Sequence, residues 1–188
     1  MATDLYIPVI LGTVRQGRMS EPVAQFVFEQ VKQMPGIDTQ LVDIRALPIP
    51  VDDAGPQAQI PEFADVARRA DGYIIVTPEY NHGYPGLLKH VLDLNYQEYV
   101  HKAVGVCSVS VGAFGGVRAV ESLLSSFKAF GLSPTVADFN ITDVNDVVDE
   151  NGQFMASDAH LQRFEQFMRQ LVWLATTLKY GRDHFEYE

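Results

Sequence analysis

Residues 10–24 read ILGTVRQGRMSEPVA, and this stretch decides the fold. It leaves a short apolar run and crosses a polar loop that carries Gly12, Thr13, Arg15, Gly17, Arg18 and Ser20. It then enters a segment whose apolar residues, Val23, Phe26, Val27, Val31 and Met34, share one helical face until Pro35-Gly36 stops it. A strand handing over to a helix through such a loop is the opening unit of a parallel α/β sheet.

The same alternation runs outward along the chain. Apolar runs of strand length lie at Leu5 to Leu11, Thr39 to Ile44, Tyr73 to Thr77 and Ala103 to Val109, with a weaker one at Thr135 to Phe139. Helical stripes follow at Phe63, Ala64, Ala67 and Ala70, and at Leu87, Leu88, Val91 and Leu92 behind Pro85. Two more run through Val117, Val120, Leu124 and Phe127, ended by Gly131, and through Leu161, Phe164, Met168, Leu171, Ala175 and Leu178. Five βα units in a row predict a doubly wound, five-stranded parallel sheet with helices on both faces, because parallel crossovers put helices there and keep one hand. Ligands of such sheets bind beyond the carboxyl ends of the strands, which directs attention to the loops after the first, third and fourth. No repeat or linker divides the 188 residues, so one domain over 1–188 is expected.

A formal net charge of -10 repels polyphosphate backbones and anionic lipid, which argues against nucleic acid and membrane as partners. No apolar stretch approaches the ~20 residues that span a bilayer. The N-terminal MATDLYIPVILG carries an acid and no basic region, so the expected address is the cytoplasm. Cys107 is the one cysteine, set inside the apolar run AVGVCSVSV, and reads as a buried structural thiol.

The first loop has the spacing Gly12-x-x-x-x-Gly17 but places Arg18 and Met19 where a triphosphate loop needs lysine and a hydroxyl, and the dinucleotide pattern G-x-G-x-x-G is absent. Thr13, Arg15, Arg18 and Ser20 at a helix N-terminus suit a single terminal phosphate. The alternative is that Ser20 is only an N-cap and the arginines are solvated. Pro22 removes one backbone donor, which shifts the grip toward side chains. The loop in VTPEYNHGYPGLLKHVLD, Val76 to Asp93, is fixed by Pro78, Gly83, Pro85 and Gly86. In SVSVGAFGGVRA, Ser108 to Ala119, Gly112, Gly115 and Gly116 permit either close approach to a flat ligand or a sharp turn into a helix.

Together GTVRQGRMS, PEYNHGYPGLLKHVLD and VGAFGGVRA resemble the NADPH-dependent FMN reductase family of flavodoxin-like proteins, which includes chromate, quinone and azo-dye reductases. The resemblance runs from Tyr6 to about Pro134. It implies a flavodoxin-like fold, FMN as cofactor, and NADPH or NADH as co-substrate. It also implies a small acceptor (a quinone, free flavin, azo compound or metal oxyanion) and a homodimer or homotetramer. Carried over residue by residue, Thr13, Arg15, Arg18 and Ser20 hold the phosphate, and Pro78, Glu79, Tyr80 and Asn81 frame the ring. Ser108, Gly112, Gly115 and Gly116 then face its other edge.

No side-chain acid or base is required by that chemistry, so no catalytic residue is named; hydride chemistry belongs to the flavin. His82, Tyr80 and Arg118 each admit a role in turnover or a structural one. Tyr84, Leu87, Leu88, Tyr96 and Phe114 are bulky enough for a subunit contact or for the core. The acidic stretch Asp138 to Asp158 lacks the register of a calcium loop and reads as a solvated connection with a turn at Asn151-Gly152, so no metal is expected. Asn140-Ile141-Thr142 matches a glycosylation sequon without a secretory context. An electron carrier that serves a protein partner and has no nicotinamide site is the competing reading, and a flavin-binding regulator is a third.

Overall fold

A computed structural model describes residues 5–52 and 58–186. The first four residues of the N-terminal stretch, the last two of the tail and the corresponding ends of the expected 1–188 domain lie outside the described residues. Seven strand segments, β1 (Leu5–Tyr6), β2 (Val9–Leu11), β3 (Ile37–Asp38), β4 (Leu41–Asp43), β5 (Gly72–Pro78), β6 (Lys102–Val109) and β7 (Leu132–Pro134), are all parallel to their neighbours. Among the described residues five α-helices alternate with them: α1 (Ser20–Lys32), α2 (Pro61–Arg69), α3 (Gly86–Asp93), α4 (Val117–Phe130) and α5 (Asp158–His184).

The main sheet has the order β4-β2-β5-β6-β7. β1 and β3 extend β2 and β4 at one end, since Ile7 N–H donates to Asp38 O and Val9 N–H to Gln40 O. Pro8, which has no N–H to give, sits between the two strand segments of the first apolar run. With β4 outside β2 and the rest following in chain order, the switch point falls between β2 and β5, the flavodoxin arrangement.

Side chains alternate across the sheet. Ile10, Ile75, Val104 and Val106 join Phe63, Leu88, Val91, Leu123 and Phe127 of α2, α3 and α4 on one face. Val9, Leu11, Ile74, Val76 and Cys107 meet Val23, Val27, Phe164, Phe167 and Leu171 of α1 and α5 on the other. Burial pushes the Cys107 thiol up, which keeps it protonated and inert. Gly105, at the centre of β6, lies under the Phe167 ring; a Cβ built there would stand 2.5 Å from ring atoms.

Several expectations shift in detail. The fifth strand forms at Leu132–Pro134 rather than Thr135 to Phe139. Thr135 N–H still bonds Val104 O and Phe139 N–H bonds Val106 O. Four residues thus advance against two, so Val136 to Asp138 bulge outward and Val136 is exposed. In α4 Leu123, not Leu124, is fully buried, and in α5 Phe167 carries packing that the stripe did not name while Leu161 is exposed.

The amino ends of β5 and β6 form a closed polar floor. The Lys102 ammonium donates to Ala67 O at 2.7 Å and Arg68 O at 2.8 Å, capping the end of α2. Tyr73 OH donates to Ala67 O at 2.6 Å. Asp71 accepts from Tyr6 N–H at 3.1 Å, from Lys179 at 3.0 Å and from Arg182 at 2.7 Å, which fastens α5 across this end.

Candidate active site

At the opposite, carboxyl end of the sheet the loops after β2, β5 and β6 converge on a cavity of about 660 Å³, within the ~300–1,000 Å³ usual for small-molecule sites. Arg15, Arg18, Met19 and Ser20 form one wall, Pro78 to His82 a second, and Ser110, Gly112, Phe114 and Arg118 a third. A second cavity of about 580 Å³ adjoins it, shares Arg15, Glu79, Tyr80 and Asn81, and adds Thr13 and Pro85 to Leu87.

The first wall is built on the start of α1. Its N-cap is Met19, which gives no side-chain capping bond, so Ser20 is the first helical residue and not the cap. No N-cap side chain accepts from the first turn, in which Glu21 N–H is taken by Arg18 O at 3.3 Å and Pro22 has no N–H. The Ser20 hydroxyl is buried and has no hydrogen-bond partner among the described residues. Arg15 is exposed on the same wall, and its backbone N–H reaches Thr13 Oγ1 at 3.4 Å. Thr13 is buried, and its Oγ1 lies 3.0 Å from Tyr80 OH, linking the first loop to the second.

Arg18 is placed differently from Arg15. Its guanidinium is buried and donates to Asp43 Oδ1 at 2.7 Å, to Asp43 Oδ2, to Thr13 O and, through Nε, to Glu21 Oε2 at 3.1 Å. Burial pushes the Asp43 carboxyl up, but the Arg18 hydrogen bond and the Arg45 N–H pull harder and leave it below the usual carboxylate range. The Asp43 bond in turn holds the Arg18 guanidinium above its ordinary value. Nothing in the local sequence pairs Arg18 with Asp43; the parallel register that sets Leu11 opposite Asp43 brings them together.

The second wall is a two-residue hairpin. Tyr80 N–H donates to Gly83 O at 2.7 Å and Gly83 N–H to Tyr80 O at 2.9 Å, enclosing Asn81 at φ 48° and His82 at φ 67°. Positive φ at both central positions is the signature of a type I′ turn, and each non-glycine residue held there costs about 1–3 kcal/mol. The turn keeps the N–H groups of Asn81 and His82 outside its own ladder. Glu79 fastens this wall to the third: it accepts from Arg118 N–H at 3.2 Å, in the first turn of α4, and its Oε1 lies 3.5 Å from the Arg118 guanidinium, which also stands over the Phe114 ring at 5.0 Å.

In the glycine loop, Gly112 lines the cavity while Gly115 and Gly116 are buried beneath it. Gly116 caps α4 at φ 83°, and a Cβ there would meet Ser108 Cβ at 2.9 Å. Ser108 is fully buried, with its hydroxyl close to Gly115 O and Asn140 Oδ1. These residues lie below the loop and shape it from there. Ser110, Val111 and Asn145 line the cavity without having been singled out in the sequence. Ser110 follows the carboxyl end of β6 directly, the position where a parallel sheet collects its ligands, and was legible on that ground.

Of the bulky residues near the cleft, Leu88 is wholly buried and Tyr84 packs against the core with its OH 2.8 Å from Ser126 Oγ, so both serve packing. Leu87, Tyr96 and Phe114 remain exposed. Asp149, in the acidic stretch, accepts from the Asn151 and Gln153 N–H groups and closes a turn. Among the described residues no group of three or more His, Cys, Asp or Glu could hold a metal ion, and no helix is long and apolar enough to cross a membrane.

A sheet of this order with a loop-built cavity at its switch point defines a flavodoxin-like α/β protein. The chain belongs to the NADPH-dependent FMN reductase family, whose profile matches residues 5–146. It is 32% identical over 142 residues to an NAD(P)H-dependent FMN reductase of Schizosaccharomyces pombe, covering 69% of this chain and 70% of that one. A quinone reductase of Escherichia coli is 34% identical over 132 residues, covering 63% of this chain and 66% of that enzyme. Among solved structures, a flavoenzyme NAD(P)H:(acceptor) oxidoreductase from Paracoccus denitrificans superposes with a TM-score of 0.71 over 92% of this chain and 98% of that one, at 18% identity, a likeness of fold.

Proposed function

We propose that this chain is an FMN-dependent NAD(P)H oxidoreductase that delivers reducing equivalents to a small acceptor such as a quinone, free flavin, azo compound or metal oxyanion. The observation that carries this reading is the unspent donor set at the start of α1. A buried Ser20 hydroxyl without a partner, an uncapped helix N-terminus and an exposed Arg15 meet at one cavity wall. A phosphomonoester satisfies all three, and the helix dipole favours its charge.

FMN, when bound, supplies the hydride-accepting and hydride-donating chemistry. Arg15, Ser20 and the α1 N–H groups would hold its phosphate, with Thr13 supporting the loop through Tyr80. Pro78, Tyr80, Asn81 and the N–H groups of the left-handed turn would frame the ring, with Gly112 and Ser110 on the far side. Glu79 and Arg118 keep the second and third walls at a fixed spacing, and Glu79 orients rather than reacts. Ser108, Gly115 and Gly116 support the glycine loop. We read residues 1–188 as one domain, in the cytoplasm because a chain with a single cysteine forms no internal disulfide and suits a reducing compartment, and as a homo-oligomer through the exposed Leu87 and Phe114 that line the two cavities and the exposed Tyr96.

The test is purification followed by turnover. A yellow protein that releases FMN and oxidises NADPH when a quinone is added is expected. An FMN-loaded protein that needs a separate reductase would instead be an electron carrier, and a preparation that takes up no flavin would end the reading.

A further inference from the structure

Arg18 lies in the loop that faces the phosphate, yet the protein itself consumes its donors. Its side chain is 3% exposed, against 30% for Asp43. Asp43 ends β4 opposite Leu11, so the Arg18 fork ties the far half of the loop to the edge strand. Its bond to Thr13 O closes the same loop on its own beginning, and its bond to Glu21 anchors it to the first turn of α1. One side chain thereby joins the three segments whose convergence brings Arg15, the Ser20 hydroxyl and the α1 N-terminus to one wall.

We infer that Arg18 is a positioning residue: its pair with Asp43 sets the shape of the loop from Thr13 to Ser20, and the guanidinium does not itself contact the phosphate. This rests on the FMN reading above. The alternative, Arg18 as a direct ligand, predicts an effect of opposite sign. If Arg18 held phosphate, removing the Asp43 charge would release the guanidinium and take a carboxylate away from the anion, so binding would tighten. If the pair holds the loop, the same change loosens the loop and binding weakens.

Asp43→Asn is the decisive variant, because the amide oxygen still accepts from the Arg45 N–H that Asp43 now holds at 3.0 Å, while the charge and one arm of the Arg18 fork are lost, the amide NH2 being a donor. Titration with FMN and with riboflavin separates phosphate from ring. The FMN Kd is expected to rise about tenfold, the loss of one charge-assisted hydrogen bond, while the riboflavin Kd stays within about twofold. Arg18→Lys should weaken FMN by a similar factor, since a point charge cannot reproduce the fork. In flavin-free protein, amide exchange over residues 13–19 should quicken about tenfold in Asp43→Asn while α5 exchanges as before, which also verifies folding.

Tighter or unchanged FMN binding in Asp43→Asn overturns the inference, as does an unchanged loop exchange rate. Should the unaltered protein bind neither flavin, the FMN reading fails, while the exchange comparison still decides whether Arg18 orders the loop.

Discussion

The two ends of the same sheet treat polar groups in opposite ways. At the amino ends of β5 and β6, Lys102, Asp71, Tyr73, Lys179 and Arg182 bond one another or helix carbonyls. At the carboxyl ends, Ser20 has a buried hydroxyl with no partner and the Met19 side chain leaves α1 uncapped. Buried polar groups normally find partners, because each one left bare costs about 1–3 kcal/mol. The Lys102, Asp71 and Tyr73 groups satisfy that rule and hold α5 in place, although Tyr99 OH, whose ring lies 5.7 Å from that of Tyr73, and the Asn95 amide are also buried without a partner; at the rim the unpaired Ser20 hydroxyl lines a cavity where a ligand can complete the bonding. The contrast separates stability from binding within about one sheet length.

The sharpest way to break the comparison is Asp71→Ala, which strands Lys179 and Arg182 near the floor. A loss of about 3 kcal/mol in urea unfolding is expected, the usual result of removing one partner from a largely buried pair, with FMN affinity unchanged. Arg15→Ala should do the reverse: FMN Kd rises about 30-fold and stability stays within about 0.5 kcal/mol, since the proposed ligand is exposed. Ser20→Ala is subtler. It should weaken FMN about tenfold and leave the flavin-free protein equally stable or up to about 1 kcal/mol more stable, because an unpaired buried hydroxyl is removed.

The smallest effect is a pH dependence of the floor. Burial pushes the Lys102 ammonium down to about 8, and the nearby Arg182 adds to this. Because the unfolded lysine binds its proton up to about 10.4, the unfolded chain holds more protons above pH 8 and stability contributed by this group rises with pH there. Relative to Lys102→Met, the unaltered protein should therefore gain about 1 kcal/mol between pH 8 and pH 9 in denaturant midpoints. A relative loss over that range would show that the two carbonyl bonds to α2 outweigh burial.

The sequence disclosed the sheet, its helices and the loops that carry the cavity, because periodicity is a local property and the parallel order follows from the alternation. It made Arg15 and Ser20 candidates for the same reason, both lying in one strand-to-helix loop. The partner of Arg18 was not legible, since Asp43 stands 25 residues on and meets it only through strand register. The buried support role of Ser108 beneath Gly115 and Gly116 was equally hidden, as it depends on the depth at which β6 runs below α4. The left-handed Asn81-His82 turn lacked the glycine that announces such turns.

Gly105 sets a rule for anyone who diversifies this scaffold. The strand that contains it runs through the middle of the molecule, and its partner ring on α5 is itself enclosed by Phe139 and Phe164. A single methyl group at that position has nowhere to go, so the change from glycine to alanine, trivial on paper, would lift the longest helix off its seat. Libraries aimed at new acceptors can vary exposed rim positions such as Leu87 and Phe114 and should leave this hydrogen-sized gap alone.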